Sequence, residues 1–257
     1  MTHIGTENLL GSHQYDEFFA IDFDRVLGNT PELYNLFLEV LKASGNLSTI
    51  AALENAYQDS VESGTSFSVT SFIQQQNMID EDVLEMLGDD FVIKAEQLRQ
   101  TLSMEGAHEF IEHLRQEGIP HGILSYGDKS WQEMKIQASG FGDVPRMIIE
   151  HKQKARQAAE WFDGQKFHIP RQLTVGRQLL AVSRVVVIDD KQVAFEGMPA
   201  NMQGYLVNPN DHKTKLSEGL ENGNNLPVGV VAVSSLRNVI YAEMAINRSL
   251  GDEVVLT

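Results

Sequence analysis

Four aspartates, one serine and a pair of lysines are placed along this chain where they could do chemistry on a phosphate ester. Asp22 and Asp24 follow the apolar run Phe18-Phe19-Ala20-Ile21, Ser125 follows Ile123-Leu124, and Asp189-Asp190 follow Val185-Val186-Val187-Ile188. A phosphate ester repels nucleophiles, so catalysis on it combines positioning, charge neutralisation and proton transfer. Carboxylates, a hydroxyl and an ammonium are residue types that supply these. Taken singly, each has a plainer reading. Asp is a common turn residue, Ser a common helix cap, and Lys152 and Lys154 with Arg156 form a charged stretch of the kind that faces solvent. Their joint occurrence at successive strand ends points to one site.

The elements that must position them follow from the apolar pattern. The run at Phe18 to Ile21 stops at the acidic residues and is followed by the turn formers Gly28, Asn29 and Pro31, which predicts a buried strand entering a loop. Leu33, Leu36, Phe37, Val40 and Leu41 recur as one helix face, ended by Gly45. Between about Asn46 and Gln100 helical spacing dominates, with Val69, Phe72 and Ile73, then Leu84, Leu87, Phe91, Ala95 and Leu98. From Ala107 the order alternates. Ala107, Phe110, Ile111 and Leu114 form a helix stopped by Gly118, and His121 to Leu124 form the next strand. A second unit joins a helix around Lys129 to Ser139 to a strand at Met147-Ile148-Ile149. A third runs through Leu179-Leu180 into Val185 to Ile188. Tyr205 to Val207 and Val230 to Val233 read as further strands, Glu218 to Leu226 as a loop, and Leu236, Val239, Ile240 and Met244 as the buried face of a last helix. The prediction is an α/β protein: a Rossmann-like parallel-sheet core of residues 1–31 and 101–257, with a helical cap of residues 32–100 inserted in it.

Composition narrows the chemistry. The 257 residues are 42% hydrophobic and 22% charged, enough apolar material for a core domain with an appendage. There is no cysteine, which excludes disulfides, thiolate metal sites and a cysteine nucleophile. With 36 acidic against 20 basic residues the net charge is -16, so nucleic acid and anionic membrane are not expected partners. Met1 to Gln14 lacks the pattern of a signal peptide and no later run is of membrane-spanning length, so a cytoplasmic location is expected. The eight histidines form no helical pair suited to a metal. Trp131, Trp161 and Phe162 are expected to pack helices onto the sheet. No feature assigns an oligomeric state.

Here the chain resembles the haloacid dehalogenase-like superfamily, whose four motifs occur in this order at comparable intervals. Asp22-Phe23-Asp24 is similar to the first motif and Ile123-Leu124-Ser125 to the second. Lys152 or Lys154 stands for the third, and Val186-Val187-Ile188-Asp189-Asp190 for the fourth. The likeness covers roughly Phe18 to Val207, and the inserted helices fall where the superfamily carries its C1-type cap. Arg25 departs from the Gly or Thr of many members, and Gly28-Asn29-Thr30 is shifted relative to the common continuation.

The resemblance implies a Mg2+-dependent phosphatase acting on a small phosphorylated substrate. Asp22 would be the nucleophile, forming an aspartyl-phosphate. Asp24 would be the general acid and base, its pKa raised by crowded carboxylates. Ser125 would donate to a phosphate oxygen. Lys154, which heads the better helical face, would place positive charge on the phosphoryl group, with Lys152 as the alternative. Magnesium suits an all-oxygen site of Asp22 and Asp189, with Asp190 as a ligand or holding its waters and the Asp24 backbone carbonyl added by the family pattern. The rivals are a phosphomutase of the same superfamily and a non-catalytic binding protein that uses the surface around Arg25. Dehalogenation fits less well, because Asp24 supplies an acid for an oxygen leaving group.

Overall fold

Side chains along a strand alternate between the faces of the sheet, and this alternation divides the core. In the computed structural model, which describes residues 16–63, 65, 67–207 and 226–252, the first strand, β1, is Glu17–Ile21. Phe19 and Ile21 point into one hydrophobic cluster, and Phe18 and Ala20 into another on the opposite face. The strands β2 (His121–Tyr126), β3 (Arg146–Ile149), β6 (Arg184–Asp189), β7 (Met202–Val207) and β8 (Val230–Val233) complete a six-stranded sheet of order β3-β2-β1-β6-β7-β8. Every pairing in it is parallel. The small strands β4 (Phe167–Ile169) and β5 (Leu180–Val182) form a separate antiparallel pair.

This strand order places the site. From β1 the chain builds β2 and β3 on one side and later β6, β7 and β8 on the other, so the topology switches at β1. Ligand crevices form outside the carboxyl ends of strands at such a switch. The register sharpens the point: Ile21 pairs with Ile123 on one side and Ile188 on the other, so the next residue, Asp22, emerges beside Asp189 and close to Ser125.

Between β1 and β2 the chain forms α1 (Thr30–Ala43), α2 (Leu47–Ser63), α3 (Val69–Gln75), α4 (Glu81–Ala95), α5 (Arg99–Leu102) and α6 (Ala107–Gln116). Pro31 sits in the first turn of α1, where its missing N–H is harmless, and Gly45 follows the helix with φ 83°. Then come α7 (Lys129–Ala138), α8 (Lys154–Ala159) and α9 (Leu236–Asp252). The inserted helices share a core with the sheet: Phe37 meets Phe91 and Trp131 edge-on at 5.6 and 5.3 Å. Polar contacts tie them further, since the Asp128 carboxylate caps α7 through Trp131 N and accepts from Thr70 Oγ1 and Ser71 Oγ of α3.

Some expectations are corrected. The segment before β6 is not a helix through Leu179-Leu180; it is the β4–β5 pair joined by short 3-10 turns, because Gly176 and Arg177 take positive φ and break any helix. Leu98 and Met244 are exposed, Leu98 because α4 stops at Ala95. Trp131 and Trp161 are buried as packing residues, but Phe162 lies open on the β4 side, against Phe167. The expected loop from Glu218 falls outside the described residues as far as residue 225, as does the segment Met1 to Gln14. No described helix is long and apolar enough to cross a membrane.

Candidate active site

Asp22, Ser125, Lys154 and Asp189 converge at the carboxyl ends of β1, β2 and β6 and are all nearly sealed from solvent. Asp22 is fixed by its backbone N–H to Ile188 O at 2.8 Å, and its carboxylate accepts from Phe23 N at 2.7 Å. Ser125 Oγ donates to Asp22 Oδ1 at 3.4 Å. Lys154, in the first turn of α8, reaches both carboxylates: Nζ lies 2.6 Å from Asp22 Oδ1 and 2.5 Å from Asp189 Oδ2. Lys152 instead sits over the Tyr126 ring, 5.7 Å from its centre, so of the two lysines Lys154 is the one inside the cluster.

Asp190 joins this group. One carboxylate oxygen from each of Asp22, Asp189 and Asp190 lies within 4.8 Å of the others, and Asp190 Oδ1 is buried without a hydrogen-bond partner. Burial pushes the Asp22 carboxyl up, Lys154 pulls against this, and the neighbouring carboxylates push it higher. Asp190 is raised by burial and by Asp189, with Lys191 opposing. Lys154 is held above the ordinary ammonium value because its two carboxylates outweigh its burial. Three crowded carboxylates and an orphaned oxygen form a donor set that a hard divalent cation fits.

Asp24 overturns one expectation. Burial favours its neutral form, but Lys135, Gln132 and Thr30 outweigh that and hold it down at about 2. Gln132 Nε2 and Thr30 Oγ1 each donate at 2.7 Å, and the Lys135 ammonium pairs with Oδ1. The carboxylate is therefore ionised, not raised by its neighbours. The sequence did carry a signal for this cradle: Gln132 and Lys135 share the inward stripe of α7 with Trp131 and Ile136, so two polar residues occupy an otherwise apolar face. Lys135 also lies over the Phe23 and Trp131 rings.

The loop from Asp22 to Thr30 is wound tightly enough to set these directions. Val26, Leu27 and Gly28 all donate to Phe23 O, and Arg25 N donates to Gly28 O at 2.9 Å. Gly28 passes so close to the Phe23 ring that an added Cβ would lie 2.3 Å from it. Arg25 adopts φ 61°, a left-handed geometry that side chains other than glycine rarely take.

No family model matches the sequence, and no curated protein does. Solved structures do. One from Burkholderia xenovorans, described as a haloacid dehalogenase-like hydrolase, is 18% identical with a TM-score of 0.54, covering 88% of this chain and 98% of its own. The HAD-hydrolase YfnB of Bacillus subtilis, solved bound to magnesium, is 14% identical with a TM-score of 0.47 over 89% of this chain and 98% of its own. The fold is that of the haloacid dehalogenase-like proteins: a parallel α/β sheet with helices inserted after its first strand.

Proposed function

We propose that this chain is a magnesium-dependent phosphatase of the haloacid dehalogenase-like type, acting on a small phosphate monoester with Asp22 as nucleophile. The observation that carries this reading is the meeting of Asp22, Asp189 and Asp190 around one point, with Lys154 bridging two of them. Residues 1–31 and 101–257 act as the catalytic core and residues 32–100 as the cap over it. Asp22, Asp189, Asp190 and the Asp24 backbone carbonyl would hold the cation, which when bound neutralises phosphate charge and lets the carboxylates stay ionised together.

The chain's own groups then divide the work. Asp22 attacks phosphorus and the ester oxygen leaves, giving an aspartyl-phosphate; water then attacks phosphorus, breaking the bond to Asp22 and releasing inorganic phosphate. Lys154 opposes the burial that raises Asp22 and offers its ammonium to the phosphoryl oxygens, and Ser125 turns its hydroxyl from Asp22 to phosphate. Asp24, ionised in its cradle, is suited to accept the proton of the attacking water. To protonate a poor leaving group it must first take up a proton and loosen its contact with Lys135.

The test is phosphate release from a panel of monoesters, with magnesium and with chelator, in the parent and Asp22→Asn. Magnesium-dependent release lost in the variant is the expected result. Release that persists in Asp22→Asn removes Asp22 from the mechanism. An isomerised sugar phosphate without free phosphate makes the chain a mutase, and no turnover in either protein favours a binding role.

A further inference from the structure

Asp22, Asp24 and Asp189 line a small cavity of about 40 Å3, which they share with Lys152, Lys154 and Lys191. That cavity adjoins a much larger one of about 890 Å3 between the inserted helices and the sheet; Asp24, Tyr126, Lys152, Lys191 and Val193 line both. A phosphoryl group in the small cavity would thus project the rest of its substrate into the large one, past those shared residues.

The charges on these walls are unusual for this chain. Five cations line the two cavities: Arg25, Lys135, Lys152, Lys154 and Lys191. Lys135 is committed to Asp24, and Lys154 to Asp22 and Asp189. Among the described residues the other three form no ion pair with a carboxylate, although acidic residues outnumber basic ones 36 to 20. Glu150 lines the large cavity too, yet pairs with none of them. Asp128 is held by its contacts to α3 and α7. Lys191 and Arg25 feel Asp190 from a distance, but no described carboxylate pairs directly with any of the three, and like charges gathered without such a partner repel one another, so the cluster is poised for an anion. Arg25 adds a second observation. Its backbone sits at φ 61°, where glycine would be unstrained, and its exposed side chain lines the large cavity. Strain held at a cavity wall beside unpaired cations supports a functional reading of Arg25.

We infer that the large cavity takes a second negative charge on the substrate, a carboxylate or a further phosphate, and that Arg25, Lys152 and Lys191 bind it. The reacting phosphoryl group is already met by Lys154, Ser125 and the implied cation, so these three are in excess of what it needs. This inference rests on the phosphatase reading above. It narrows the substrate class to phosphate esters that carry another anion, with room in the large cavity for a sugar-sized body between the two charges.

The test compares matched esters that differ in that charge. Phosphoglycolate against 2-hydroxyethyl phosphate probes a carboxylate, and fructose 1,6-bisphosphate against fructose 6-phosphate probes a second phosphate. The expected result is a kcat/KM preference of roughly tenfold or more for the doubly anionic member of at least one pair, the scale of a charge-assisted contact. Arg25→Gln and Lys191→Gln should shrink that preference, mainly through KM, while Arg115→Gln, on a surface pair with Asp143, should not. Equal kcat/KM within both pairs overturns the inference, and so does an equal fall for both members in Arg25→Gln, which would assign these charges to the reacting phosphate. Either failure, seen beside magnesium-dependent release from p-nitrophenyl phosphate that Asp22→Asn abolishes, leaves the phosphatase reading standing. No release from any ester overturns both.

Discussion

Lys154 stands between Asp22 and Asp189, within 2.6 Å of one carboxylate and 2.5 Å of the other. All three side chains are buried, so the lysine is what lets two acids share a dry space. Lys154→Met is expected to destabilise the metal-free protein by about 3 to 5 kcal/mol, since removing one partner strands the others. Magnesium should restore part of this loss by neutralising the same carboxylates. Urea denaturation with magnesium and with chelator measures both; a loss that magnesium leaves untouched would contradict the shared site.

Metal should stabilise the native chain through the same acids. At magnesium roughly a hundredfold above its dissociation constant the gain is about 2.7 kcal/mol. For a protein of this size that is a melting-temperature rise of roughly 5 to 10 °C. Asp189→Asn and Asp190→Asn should each reduce the rise, and a full rise in both variants would place the cation elsewhere.

Asp24 gives a stability that depends on pH in a defined direction. Its carboxyl is held at about 2 when folded, below its ordinary value, so its contribution is fully present above about pH 4 and is lost as the pH falls toward 2. The size is roughly 2 kcal/mol. The stability difference between the parent and Asp24→Asn should therefore shrink across that window in denaturant titrations at successive pH values. A difference that is flat with pH would mean that Asp24 is not held by Lys135 as described.

Gly28 links packing to chemistry. With a Cβ at that position only 2.3 Å from the Phe23 ring, Gly28→Ala must move the ring that lies between Asp22 and Asp24 in the chain. Overpacking of this kind costs about 1 to 3 kcal/mol. Turnover should fall with it, because both aspartates flank the displaced residue. Gly45→Ala serves as the comparison: φ is also positive there but no atom lies within 4 Å, so stability changes while turnover does not.

What the sequence determined by itself was the set of strand ends and the chemistry they carry. Local apolar runs that stop at Asp22, Ser125 and Asp189 are legible because burial and turn formation act on neighbouring residues, and α1 was readable down to its terminating Gly45 for the same reason. The choice of Lys154 over Lys152 also had a local basis, the apolar face of α8. The tertiary structure decided what depends on residues far apart in the chain. Lys135 and Gln132 interrupt the apolar face of α7, but the role of that interruption was not legible, because their partner, Asp24, lies more than a hundred residues away and only the packing of α7 beside the first loop brings them together. The same packing reversed the expected shift of Asp24, since a pKa answers to whichever charges the fold places nearest. Leu179-Leu180 was misread as helical because short apolar pairs carry no period, and the β4–β5 pairing that claims Leu180 is itself a contact between separated segments.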